Sequence, residues 1–208
     1  MKLPLLHVIS PQGIAHDTRF REVADALQAE CGPELAIHLR DPSVSGDFLY
    51  RLARDLTDGA RRHGGWCVVN ERVDVAMAAG AQAAQLGHRA LPLEAAREVL
   101  GDRLALGVSV HSVPEVREAA EAGANYVVLG TIFPSPSHPS APPLGTAALA
   151  SCRDSGVPVV AIGGIDAGRT DAVLAAGASA VAVLSAVWEA TDPVAAAVNL
   201  LNAARRDR

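Results

Sequence analysis

Val157-Pro158-Val159-Val160-Ala161-Ile162-Gly163-Gly164-Ile165-Asp166 is an apolar run that stops at two glycines and an aspartate. A helix-period segment follows from Ala167 to Ala176, then Ala176-Gly177-Ala178, then a second apolar run, Ala180 to Leu184, that stops at Ser185-Ala186. Neither run alternates apolar with polar residues, so both read as strands covered on two faces, and the helix between them makes a strand, helix, strand unit of a parallel sheet. The glycine of Ala-Gly-Ala supplies the left-handed residue that ends a helix and turns the chain.

The same pattern extends back to the N-terminus. Apolar runs at Leu5–Ile9, Leu35–Leu39, Trp66–Val69, Ala83–Leu86, Leu104–Val108 and Tyr126–Leu129 bring the predicted strands to eight. Helical segments at Arg19–Ala29, Asp47–Arg62, Val73–Ala79, Leu93–Leu100, Pro114–Ala122 and Ala147–Asp154 lie between them, and a last helix is predicted over Pro193–Arg205. Ala79-Gly80-Ala81 and Ala122-Gly123-Ala124 repeat the stop signal. Eight units at about 26 residues each, with no linker dividing them, predict one α/β domain over residues 1–208, a single (β/α)8 TIM barrel. An open doubly wound sheet is the competing arrangement, but it calls for a Gly-rich fingerprint after the first strand, where Ser10-Pro11-Gln12-Gly13 stands.

Composition narrows the function classes. Half of the residues are hydrophobic and 3% are aromatic, so the core is built from Ala, Val, Leu and Ile, and disorder, collagen and coiled coil are excluded. Eighteen Lys and Arg against 23 Asp and Glu give a net charge of −5, with no basic run to follow a phosphate backbone, so no nucleic-acid partner is expected. Pro4 and His7 break the first apolar run too early for a signal peptide, and no stretch reaches the roughly 18 apolar residues of a membrane span, so a cytoplasmic protein is expected. Cys31, Cys67 and Cys152 are far apart and lack CxxC spacing, which predicts reduced thiols and no zinc site. Trp188, near the end of the last strand, fits either core or an interface, and a homo-oligomer stays open.

Barrels of this kind carry their active sites on the loops after the strand C-termini, with phosphate commonly held after strands 7 and 8. Gly163 and Gly164 let backbone N–H groups approach an anion, and Ser185 with Ala186 opens a helix on the neighbouring loop, so these four residues are the predicted phosphate site. After strand 2, His38 and Arg40 point to one side by alternation, and the guanidinium suits a carboxylate or phosphate unless it pairs with Asp41. Asn70 ends strand 3, where it reads a ring heteroatom or caps a helix, and Ser109 and His111 follow strand 5. The loop from Gly130 to Gly145 is long for this fold and carries Thr131, Ser135, Ser137 and His138, the last a group that exchanges protons near neutral pH.

Taken in order, these segments resemble the thiamine phosphate synthase and thiazole tautomerase family. The resemblance runs from His7 to Ala190 through Ile37-His38-Leu39-Arg40, Val69 to Ala76, Gln85-Leu86-Gly87, Gly107 to Ser112, Gly130 to Ser135 and Val160 to Ile165. It implies a barrel that binds a thiazole phosphate. The synthase joins an aminopyrimidine diphosphate to that thiazole phosphate, with carboxylates on magnesium and cations on diphosphate. Here His38 takes the place of a Gln, Pro42 and His138 the places of Lys, and Ala90 the place of an Asp, while Glu71 replaces the Asp that follows Asn70.

His38-x-Arg40 is similar to the tautomerase branch. The resemblance therefore implies, as the first reading, a metal-independent isomerase that aromatises a thiazole carboxylate phosphate by proton transfer, without cofactor. His111 or His138 carries the proton, with Thr131 standing where that branch has a His. Arg40 and Asn70, with His38, Ser109, Ser135 and Ser137, hold the rest of the substrate. The alternatives are a magnesium-dependent thiamine phosphate synthase and a non-catalytic protein that binds thiazole phosphate.

Overall fold

A computed structural model describes residues 2–14, 17, 19–135 and 142–206. The elements, in chain order, are β1 (Leu6–Ile9), α1 (Phe20–Cys31), β2 (Leu35–Leu39), α2 (Gly46–His63), β3 (Trp66–Asn70), α3 (Val73–Ala79), β4 (Ala83–Leu86), α4 (Leu93–Leu100), β5 (Ala105–Val110), α5 (Val113–Glu121), β6 (Tyr126–Gly130), α6 (Gly145–Ala150), β7 (Val159–Ile162), α7 (Ala167–Ala175), β8 (Ala180–Val183), α8 (Ser185–Trp188) and α9 (Pro193–Arg205). Eight parallel strands close in sequence order, with β1 returning to β8 through Leu6 opposite Val181 and His7 opposite Ala182. The predicted (β/α)8 barrel is therefore the observed fold, and closure excludes the open sheet.

The unbroken apolar runs have a direct cause. Along each strand one residue faces the helices and the next faces the barrel axis, and both positions are buried. Leu6, Val8, Ile37, Cys67, Val69, Leu106, Leu129 and Val181 belong to the layer under the helices. Ile9, Ala36, Trp66, Val68, Ala83, Ala105, Tyr126, Val160, Ala180 and Ala182 fill the inside. The interior alanines leave room for two large rings, Trp66 and Tyr126, whose centres are 6.4 Å apart.

Helix ends follow the expected chemistry. Ser45, Ser112, Asp166 and Asp192 cap α2, α5, α7 and α9 by accepting from backbone N–H groups. Gly80, Gly123 and Gly177 of the three Ala-Gly-Ala signals have φ of 65°, 86° and 120°. Most element boundaries shift by a residue or a few from the sequence reading; β5 continues through Ser109 to Val110, because both pair with β6, β7 begins at Val159, and α6 ends at Ala150. Trp188 is a core residue, stacked on Phe20 at 5.1 Å with Nε1 donating to the Ile9 carbonyl at 2.7 Å. The three cysteines are buried and free, and burial pushes the Cys31 and Cys67 thiols up to about 11 and about 12. No helix among the described residues is long and apolar enough to cross a membrane.

Candidate active site

A cavity of about 460 Å³ opens at the C-terminal ends of the strands. Its wall collects His38, Arg40, Asn70, Ser109, His111, Thr131, Ser135, Gly163, Gly164, Ser185 and Ala186 from positions scattered over the chain. Ser137 and His138 lie outside the described residues. A second groove of about 410 Å³ lies between α1 and α2 and carries the ion pairs of Arg21 with Asp55 at 2.9 Å and Arg62 with Asp25 at 3.2 Å.

One end of the cavity is made of backbone. Gly163 and Gly164 adopt φ of 105° and 61°, and a Cβ at Gly163 would collide with the Thr131 side chain. The β6 loop is bonded onto this turn through Ile132 N–H to the Ile162 carbonyl at 2.8 Å and Phe133 N–H to the Gly163 carbonyl at 3.0 Å. Arg169 holds the same junction, donating to the Gly164 carbonyl while its guanidinium lies 4.9 Å from the Phe133 ring centre. Beside this turn, the first N–H groups of α8, at Ser185 and Ala186, have no acceptor within the helix. This end suits the phosphate of a phosphate ester.

The opposite end is made of side chains. Arg40 lines the cavity, and its neighbour Asp41 is taken up elsewhere, accepting from the N–H groups of Gly13, Ile14 and Ser43 and from the Ser43 hydroxyl. Burial works to raise the Asp41 pKa, and those hydrogen bonds more than offset it, so its carboxyl is held below the usual range. The predicted competition between substrate and Asp41 for Arg40 is thereby avoided. Glu71 has a left-handed backbone, φ 66°, fixed by its N–H donating to the Gln85 carbonyl at 2.8 Å, and its carboxylate pairs with Arg89 at 3.4 Å. A non-glycine residue in that region costs on the order of 1–2 kcal/mol, which argues for a site that needs the carboxylate there.

His111 Nδ1 lies 3.0 Å from the Gly130 carbonyl. A carbonyl only accepts, so Nδ1 bears a proton and Nε2 is the ring nitrogen left to act on a substrate. The Thr131 hydroxyl donates to the Phe133 carbonyl at 2.8 Å, so it shapes the loop against Gly163. Ser109 accepts from the Gln85 amide at 3.0 Å. His38 is fully buried, and burial lowers its pKa to about 4 against the hydrogen bond with Asn70, so it is neutral near pH 7. The sequence reading missed His7 and Tyr126, both inward-facing and fully buried beneath this wall. Their one available signal was position: each is polar at an inward register of an apolar strand.

The fold is a (β/α)8 barrel whose cavity, at the strand C-termini, has a β7 and β8 loop wall suited to a phosphate ester. Comparison with known proteins narrows this. The sequence matches the thiamine monophosphate synthase family (TMP-TENI) over residues 6–187, and the chain belongs to that family. It is 37% identical over 197 residues to the thiamine-phosphate synthase of Methanocella arvoryzae, covering 94% of this chain and 92% of that one. It is 41% identical over 182 residues to the thiamine biosynthesis bifunctional protein ThiM/ThiE of Symbiobacterium thermophilum, covering 86% of this chain but only 37% of the relative's length. Among solved structures, thiamine phosphate pyrophosphorylase from Pyrococcus furiosus superposes with a TM-score of 0.84 at 33% identity, covering 96% and 95% of the two chains. By family the chain is grouped with thiamine monophosphate synthases.

Proposed function

We propose that this protein makes thiamine phosphate by joining an aminopyrimidine diphosphate to a thiazole phosphate. This reverses the order given by the sequence, where isomerisation came first. The observation that carries the proposal is one cavity lined by Gly163, Gly164, Ser185 and Ala186 from the β7 and β8 loops and by Arg40 and Asn70 from the β2 and β3 ends, two groups that each suit an anion. Two phosphorylated substrates need two such groups. The relatives' names support the same reaction.

Magnesium belongs to the synthase reading. The ion is commonly held by one or two carboxylates together with substrate phosphates, and Glu71, projected into the cavity by its left-handed backbone, supplies one carboxylate. Bound there, it would neutralise charge on the diphosphate. Arg40 does part of that work without metal, because its guanidinium lines the cavity and can stabilise the charge that gathers on diphosphate as it departs. The glycine turn and the start of α8 hold the thiazole phosphate, and the Asn70 amide orients the group beside it.

A second reading, thiazole tautomerisation, is favoured by one specific observation. Among the described residues, Glu71 is the single carboxylate of the cavity wall and is tied to Arg89, whereas His111 leaves Nε2 to act on a substrate. A coupled assay separates the readings. Thiamine phosphate formed from the two phosphorylated substrates in magnesium, and lost in EDTA, is the expected result. Accelerated aromatisation of the thiazole carboxylate phosphate in EDTA, with no thiamine phosphate, replaces it with the isomerase. Binding without either turnover leaves a carrier of thiazole phosphate.

A further inference from the structure

Inside the barrel, one layer below the cavity, polar side chains stand where such barrels usually carry branched apolar ones. Nδ1 of His7 is 2.8 Å from Nε2 of His38, and Nδ1 of His38 is 3.3 Å from Oδ1 of Asn70. His7, His38 and Tyr126 are all inaccessible to solvent. Among the described residues, His7 Nε2 and the Tyr126 hydroxyl have no hydrogen-bond partner, and their rings are 5.7 Å apart between centres. Gln85 Oε1, beside the same face of the Tyr126 ring, is unpaired as well, and a buried polar group without a partner is costly, so the Tyr126 hydroxyl needs an acceptor among these neighbours.

The chain of contacts has a direction. The Asn70 oxygen only accepts, so His38 Nδ1 bears a proton, and a neutral His38 turns a bare Nε2 toward His7. His7 Nδ1 then bears its proton, and His7 Nε2 is left as an acceptor that needs a donor. Burial keeps both rings neutral, so each carries a single proton and the links run all one way or all the other. The Tyr126 ring is closely seated: a Cβ at Gly107 would collide with it and with the Gln85 amide, so glycine is required opposite it.

We propose that Tyr126 and His7 are positioning residues, relaying Tyr126 O–H to His7 Nε2, His7 Nδ1–H to His38 Nε2 and His38 Nδ1–H to Asn70 Oδ1, so that the Asn70 amide presents its two N–H groups to the substrate. The competing direction is physically defined. The Pro4 carbonyl also lies toward the His7 ring, and a proton on His7 Nε2 aimed at it would reverse every link and turn the Asn70 oxygen to the cavity. Donors suit an anionic oxygen or a ring nitrogen, and the oxygen would repel both. The inference rests on this cavity being the substrate site, and not on which of the two reactions runs there.

The test uses the full chain labelled with 15N at histidine, with long-range 1H–15N correlations recorded at pH 7 and assigned by single substitution. Both His7 and His38 are expected with the proton on Nδ1, and a proton on Nε2 of either ring overturns the proposal. Tyr126→Phe is expected to populate both tautomers of His7 and to weaken binding of inorganic diphosphate ~5-fold, on the scale of one lost hydrogen bond. Unchanged tautomers and affinity in Tyr126→Phe remove Tyr126 from the relay, and His7→Gln is expected to keep part of the diphosphate affinity because its amide can still donate to His38. Wild-type protein that shows the expected tautomers but does not bind diphosphate counts against the proposed reaction while leaving the relay in place.

Discussion

The two ends of the cavity are built from different material. At β7 and β8 the ligand meets backbone, two glycines at φ 105° and 61° and the first turn of α8. At β2 to β5 it meets side chains, Arg40, Asn70, Glu71 and His111, the last three held by His38, Arg89 and the Gly130 carbonyl. A backbone wall survives most changes of side chain and fails when a Cβ is added. A side-chain wall can be retuned one residue at a time, and it is where this sequence departs from the synthase pattern.

The largest expected effect attacks the backbone wall. Gly163→Val places a branched side chain on a left-handed residue already against Thr131, and should lower kcat/KM by about 100-fold for any phosphorylated thiazole substrate. A loss under about threefold would mean the phosphate does not sit there. Arg40→Gln removes a charge-assisted contact worth roughly 10- to 100-fold, and steady-state kinetics should show it in the diphosphate substrate and hardly in the thiazole phosphate. Equal losses for both would erase the distinction between the two ends.

Glu71→Gln is a milder and more discriminating change. If the synthase reading holds, the magnesium concentration for half-maximal rate should rise about tenfold, since one oxygen ligand has lost its charge. An isomerase assayed in EDTA would be indifferent. His111→Gln should slow the isomerase by about 100-fold and change thiamine phosphate formation by less than about threefold, because only proton transfer needs a base there.

The smallest effect is on stability. His38 has its pKa lowered from 6.5 to about 4 in the fold, so between those values the unfolded chain binds the proton and the folded one does not. Its contribution is fully present above pH 6.5 and is lost as pH falls toward about 4, and calorimetry should find Tm dropping by about 5 °C across that window. Asp41, whose pKa is lowered, keeps its contribution until pH falls below the ordinary aspartate range, so the His38 loss comes first.

Much of the site is legible in the amino-acid sequence. The glycine pair, Ser185, Arg40, Asn70 and His111 can be named from it because strand ends and alternation put them at one end of a barrel. Thr131 can be named as a position but not as a role, because whether a hydroxyl faces substrate or its own loop is set by the Phe133 carbonyl two residues on. His7 and Tyr126 are hidden in apolar strands, since nothing local distinguishes an inward polar residue with a partner from a tolerated one.

The amino-acid sequence by itself determined eight strand and helix units, the glycine and serine stops between them, and the family, because period, turn chemistry and motif order are local properties. Tertiary structure alone decided that Asp41 is drawn away from Arg40, that Gly130 fixes the His111 tautomer, and that a buried chain from His7 reaches Asn70. Those pairs join residues from separate strands and loops, and only closure of the barrel brings them within hydrogen-bond distance.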